Sequence, residues 1–113
     1  MNKLLCLLGI FICISCNPRE IVIDAPVDLI PQDSFIQIVT DLIVLESHIQ
    51  GKYDQLNSYS EVMAISGDSL FAEHGVSFER FESSMMYYGK NPHIIDSIYT
   101  RIIDTLNIRL GNN

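Results

Sequence analysis

Apolar residues recur at helical spacing between residues 31 and 113, and they predict four helices. In the first helix, Asp33 or a neighbour can cap the start and Gly51 can end it. Its apolar stripe follows the i, i+3, i+4, i+7 rule and consists of Phe35, Ile38, Val39, Leu42, Leu45 and Ile49. Such a stripe predicts an amphipathic helix that buries one broad face.

The second predicted helix follows a polar loop at 51–58, with Ser58 or Ser60 as its N-cap. Because glycine weakens a helix, Gly67 could divide this segment into two shorter turns. The pair His74-Gly75 is expected to end it. The residues that share one side are Tyr59, Val62, Met63, Ser66 and Leu70.

Residues typical of helix starts, together with apolar stripes, predict the third and fourth helices. Ser77 can cap a helix that Gly89 closes, with a narrow stripe of Phe78, Phe81, Met85 and Tyr88. Asn91-Pro92 indicates the next helix start, because proline fits the first helical position. The apolar half of this fourth helix comprises Ile94, Ile95, Ile98, Tyr99, Ile102, Ile103, Leu106 and Leu110. Residues 31–113 are therefore predicted to form an all-α domain, a small bundle of about four helices.

The N-terminus has the pattern of a secretory signal peptide over residues 1–15. Lys3 supplies a positive charge, and an apolar run follows at 4–14. As a helix, this run would be about 16 Å long against about 30 Å of bilayer hydrocarbon, so it is too short to span a membrane.

The end of this segment, Cys13-Ile14-Ser15-Cys16, resembles the lipobox of bacterial lipoproteins. The resemblance implies that the Cys16 thiol receives a diacylglycerol and that cleavage before Cys16 makes it the first residue. Several acyl chains at about 0.8 kcal/mol per buried CH₂ would anchor the chain durably. The alternative, a Cys13–Cys16 redox pair, lacks the βαβ context that such a motif needs.

Residues 16–30 are expected to be a lipidated, extended tether between the membrane and the helical domain. Pro18 and Pro26 disfavour helix on both sides of the run Ile21-Val22-Ile23. That run could also pair as a strand or lie along the domain.

Length and charge limit the function classes. The chain has 113 residues, with 7 Lys and Arg against 14 Asp and Glu, a formal charge of −7. Loss of Lys3 with the leader leaves 6 bases against 14 acids and a side-chain charge of −8. Only one small domain fits this length, and the negative charge argues against nucleic-acid binding.

Several segments resemble a family of small uncharacterised lipoproteins of Bacteroidetes, which is known only as a domain of unknown function. The matching residues are Pro31, the run 38–46, the run 74–88 with its Phe81-x-x-Ser84-x-x-Tyr87-Tyr88 motif, Pro92 and Ile98-Tyr99. The resemblance covers roughly residues 31–106. It implies a helical lipoprotein and supplies no activity.

The histidines do not predict a metal site. His48, His74 and His93 are far apart, and no spacing places two ligands on one helix face, so no metal or other cofactor is expected. Asp41 and His48 share a polar helix face but lie two turns apart, which predicts a solvated surface.

Two residues are candidate binding groups. Glu46 lies only about 20° around the helix from Phe35, inside the apolar stripe, where a carboxylate must be paired or protonated. Tyr99, Tyr88 or Arg80 are its expected partners. Tyr87 lies off the stripe of its helix, where it is expected to pack against another helix or, if exposed, to contact a partner or stack on a glycan.

No catalytic constellation occurs in the sequence, so the protein is expected not to be an enzyme. The favoured function is a non-catalytic binding or accessory module, anchored in the bilayer by acylated Cys16 and contacting an envelope protein. The expected location is the outer membrane, facing the periplasm. The alternative is a small enzyme or ligand carrier that uses Glu46 in a cleft.

Overall fold

A computed structural model describes residues 23–52 and 56–111, which form four helices. We number them α1 (Gln32–Gln50), α2 (Leu56–Glu73), α3 (Phe78–Gly89) and α4 (Pro92–Gly111). No strand occurs in this part of the chain, and the prediction of an all-α bundle is confirmed. Within the same residues, no helix combines the length and apolar character needed to cross a bilayer. The predicted leader and Cys16 lie outside the described residues.

Helix ends follow the local signals with three differences. The Ser77 hydroxyl caps α3 by accepting the Arg80 N–H at 3.2 Å, and Gly75 takes the left-handed φ of 64° after α2. However, α2 is continuous through Gly67. α2 also begins earlier than expected, at Leu56, so Ser58 and Ser60 lie within it and not at its N-cap. Pro31, which has no capping side chain, occupies the N-cap position of α1.

Asn91 forms hydrogen bonds with the end of α3 and with the start of α4. Its side-chain amide donates to the Tyr87 carbonyl at 2.7 Å, near the end of α3, while its backbone carbonyl accepts N–H groups from the first turn of α4. One residue therefore satisfies terminal backbone groups of both helices.

An aromatic cluster connects three of the helices. Phe35 of α1 stacks on Phe81 of α3, with ring centroids 5.4 Å apart, and lies 4.9 Å from the Tyr88 ring. Phe71 of α2 contacts Phe81 at 5.0 Å. Such pairs add to the burial energy of the rings, so this cluster forms the centre of the core.

Only part of the predicted α4 stripe is buried. Ile98 and Ile102 belong to the core, whereas Tyr99, Ile103 and Leu110 are more than half exposed. The neighbours of α4 are mainly α1 and α3, and two neighbours cover a narrower arc than the apolar residues occupy. We call Tyr99, Ile103 and Leu110 the outer face of α4. Phe78 and Met85 on the predicted α3 stripe are also exposed.

The last residues of the predicted tether belong to the folded domain. Ile30 is 1% exposed and lies in the core, and Leu29 packs against it. The domain therefore begins before residue 31, because the segment that enters α1 fills a position in the core.

Candidate functional site

Side chains from α1, from α4 and from the turn that follows α2 meet at the carboxylate of Asp41. Its Oδ1 accepts from Arg109 Nη1 of α4 at 2.6 Å, and its Oδ2 contacts His74 Nε2, just after α2, at 2.9 Å. The Asp41 side chain is 31% exposed. The prediction of a solvated polar face is wrong for Asp41, which, like His74, is half-buried.

The surroundings of Asp41 stabilise its charged form. Burial acts to raise the pKa of this carboxyl, but the hydrogen bonds and charges of Arg109 and His74 outweigh burial and hold the pKa below its ordinary value of 3.8. One donor occupies each carboxylate oxygen. The arrangement therefore acts as a clamp that joins α1 to the ends of α2 and α4.

The other histidines do not join this cluster. His48 Nδ1 contacts the Val44 carbonyl of its own helix at 2.8 Å, and His93 is exposed. Across residues 23–52 and 56–111, no three His, Cys, Asp or Glu side chains are placed to hold a metal ion.

Glu46 is not buried in the apolar stripe, and the partners expected for it are wrong. Its side chain is exposed, and its Oε1 accepts the hydroxyl of Tyr59 in α2 at 3.0 Å. The hydrogen bond to Glu46 raises the pKa of the Tyr59 phenol, and burial and the Glu46 charge add to this effect. Ile49, three residues further along α1, is buried, so the bundle extends past the level of Glu46, and Glu46 lies at the exposed border of the contact between α1 and α2.

A buried socket on α3 holds the backbone of Ile30. The Ser84 hydroxyl accepts the Ile30 N–H at 3.0 Å and donates to the Arg80 carbonyl, while the Tyr88 hydroxyl donates to the Ile30 carbonyl at 2.5 Å. Burial raises the pKa of Tyr88, with a smaller contribution from Tyr87, so this hydroxyl keeps its proton. Phe81, Ser84 and Tyr88 face the core at spacings of three and four residues, which gives this motif a structural role.

Tyr87 lies in a shallow groove between α3 and the N-terminal segment. It is half-buried and packs partly against the core, so it is less exposed than a free surface tyrosine. The groove is lined by Ile23, Asp24, Pro26, Ser83, Met86, Tyr87 and Lys90. Glu46 does not line this groove, so the two candidate binding residues do not form one site.

A known family matches a stretch of the chain that includes both the Ile30 socket and the Asp41 clamp. The family DUF4296, a domain of unknown function, matches residues 26–110. The chain belongs to the DUF4296 family. The match begins before Ile30, in agreement with the place of that residue in the core of this DUF4296 domain. Neither the curated proteins nor the solved structures contain a match to the chain.

The polar residues inside this DUF4296 domain are used within the fold. Throughout the described part of the chain, every buried side-chain nitrogen or oxygen has a hydrogen-bond partner. Thr40, Ser84 and Tyr88 are buried, and the hydroxyl of each bonds to backbone, with Thr40 bonding within its own helix. Ser84 and Tyr88 bond to Ile30, and Asp41 bonds to two side chains. The sequence does not predict the contacts of Ile30 and Asp41, because they join residues 33 to 68 positions apart.

Proposed function

We propose that this DUF4296 protein is a lipoprotein of the bacterial envelope, anchored through Cys16, whose helical domain is a non-catalytic binding or accessory module. The proposal of an anchor is supported by the lipobox pattern and by the resemblance to small Bacteroidetes lipoproteins. The outer membrane, facing the periplasm, is the proposed location. The presence of an envelope protein partner is part of the same proposal.

The outer face of α4 is the observation that carries the binding role. Tyr99, Ile103 and Leu110 lie within about 40° of one another around the helix at 3.6 residues per turn. Their exposed fractions are 58%, 57% and 70%. Clustered exposed apolar side chains on a small soluble domain are typical of a protein contact surface. The exposed Glu46 carboxylate provides no comparable argument for an enzyme.

The anchor is tested by replacing Cys16. Wild type is expected as a mature chain that begins at residue 16 with added acyl mass, and it should partition into detergent. Cys16→Ser should lose the acyl mass and the partitioning completely, because serine has no thiol to alkylate. Cys6→Ser, within the predicted leader, is the matched control and should behave like wild type. An unmodified Cys16 in the native host would refute the anchor.

The binding face is tested with two isoleucines of α4. Ile103→Glu should abolish crosslinking to an envelope protein, because a charge in an apolar contact is costly to desolvate. Ile108→Glu is the control, since Ile108 is 64% exposed and points roughly 140° away at 3.6 residues per turn. Both variants should keep the wild-type thermal midpoint. Equal crosslinking in both variants would count against this face.

A further inference from the structure

We propose that the surface of α3 formed by Met86, Tyr87 and Lys90, here called the anchor face, rests on the bilayer that holds the acyl chains. This inference rests on the proposed anchor at Cys16. It goes further by naming the side of the domain that meets the lipid.

The first described residue places the chain beside the anchor face. Ile23 and Pro26 line the groove together with Met86, Tyr87 and Lys90. The course of the chain from Ile30 back to this groove is fixed, because the Arg80 side chain donates to the Asp28 carbonyl at 2.7 Å and the Leu29 N–H donates to the Pro26 carbonyl. The N-terminal segment therefore leaves the domain at the anchor face.

The length of chain that remains limits the distance to the membrane. Residues 16–22, seven residues counting Cys16, precede Ile23, and they span at most about 25 Å when fully extended. A connection this short keeps the point where the chain leaves the domain within about 25 Å of the acylated residue. The anchor face, which lies beside that point, is therefore held close to the bilayer.

The chemistry of the anchor face fits a zwitterionic interface. Met86 is 56% exposed and apolar, while Tyr87 joins an apolar ring to a polar tip. The stem of the exposed Lys90 can lie along apolar surface while its ammonium stays in water. Asp24 lies in the same groove as Lys90, and the side-chain charge without the leader is −8, so attraction to an anionic surface is not the basis of contact.

Tryptophan fluorescence can test this orientation directly, because the chain contains no Trp. The acylated Met86→Trp protein would be reconstituted in phosphatidylcholine vesicles with plain or brominated acyl chains. Contact at the headgroup and acyl boundary should cause about a twofold loss of fluorescence on bromination. Lys90→Trp, on the same face, should respond similarly. Ile103→Trp, equally exposed on α4, should show no loss.

Separate measurements of anchoring and of quenching distinguish a wrong orientation from a missing anchor. Acyl mass and co-sedimentation with vesicles show whether the protein is anchored. If the anchored protein shows no quenching at Met86 or Lys90, or more quenching at Ile103, this orientation is refuted and the anchor stands. If the native protein carries no acyl mass and does not sediment, both proposals are refuted.

Discussion

Replacing Ile30 with alanine should lower the free energy of unfolding by about 2–5 kcal/mol, the usual cost of deleting a buried isoleucine side chain. Ile30 is 1% exposed, and its backbone is held by the Ser84 and Tyr88 hydroxyls. A small domain has only about 5–15 kcal/mol of stability in total, so the thermal midpoint should fall substantially. Urea unfolding followed by circular dichroism measures the loss.

The control for this substitution lies three residues earlier. Val27 is fully exposed, so Val27→Ala should change stability by less than about 0.5 kcal/mol. Both changes remove apolar atoms from the same short segment, and only one of them leaves a cavity. If Ile30→Ala costs no more than Val27→Ala, Ile30 is part of a free tether.

Asp41→Asn is expected to cost about 1–2 kcal/mol at neutral pH, since hydrogen bonds to a charged group are stronger than neutral ones but partial exposure weakens them. The amide keeps the shape of the carboxylate, but it loses the charge and has only one oxygen for Arg109 and His74. Asp33→Asn is the matched control. The Asp33–Arg101 contact of 2.7 Å is more exposed, so its loss should cost less than about 0.5 kcal/mol.

The stability that the Asp41 clamp supplies should depend on pH in a defined direction. The folded pKa of Asp41 lies below its ordinary value of 3.8, so the clamp contributes fully above that value. Its contribution is lost as pH falls through the lower folded pKa. The difference in stability between wild type and Asp41→Asn should therefore shrink as pH falls from about 5 to about 2. A difference that is constant with pH would contradict the clamp.

Local signals in the sequence predicted the helices because helix formation depends on neighbouring residues. The i, i+3, i+4 pattern locates α1 and α4, Ser77 marks the start of α3, and Gly75 marks the end of α2. The prediction that Gly67 could divide α2 is wrong, because the packing of α2 overrides the weak helix propensity of a single glycine.

The positions of polar groups could not be predicted in the same way. Helical angle shows where Glu46 lies around α1, but it does not show which part of the circumference a neighbouring helix covers. Asp41 looked solvated because its partners, His74 and Arg109, are 33 and 68 residues away in sequence. Contacts at such separations depend on how the helices pack against one another. The pattern of residues along a single helix does not give this information.

The socket for Ile30 also determines when this domain can finish folding. Ile30 binds Ser84 and Tyr88, which follow it by 54 and 58 residues. During synthesis from the N-terminus, Ile30 is made before α3, so it cannot take its place in the core until most of α3 has also been made. Contacts between distant residues form late because loop closure must come first. The core around Ile30 is therefore completed only after α3 has been synthesised and has folded against it.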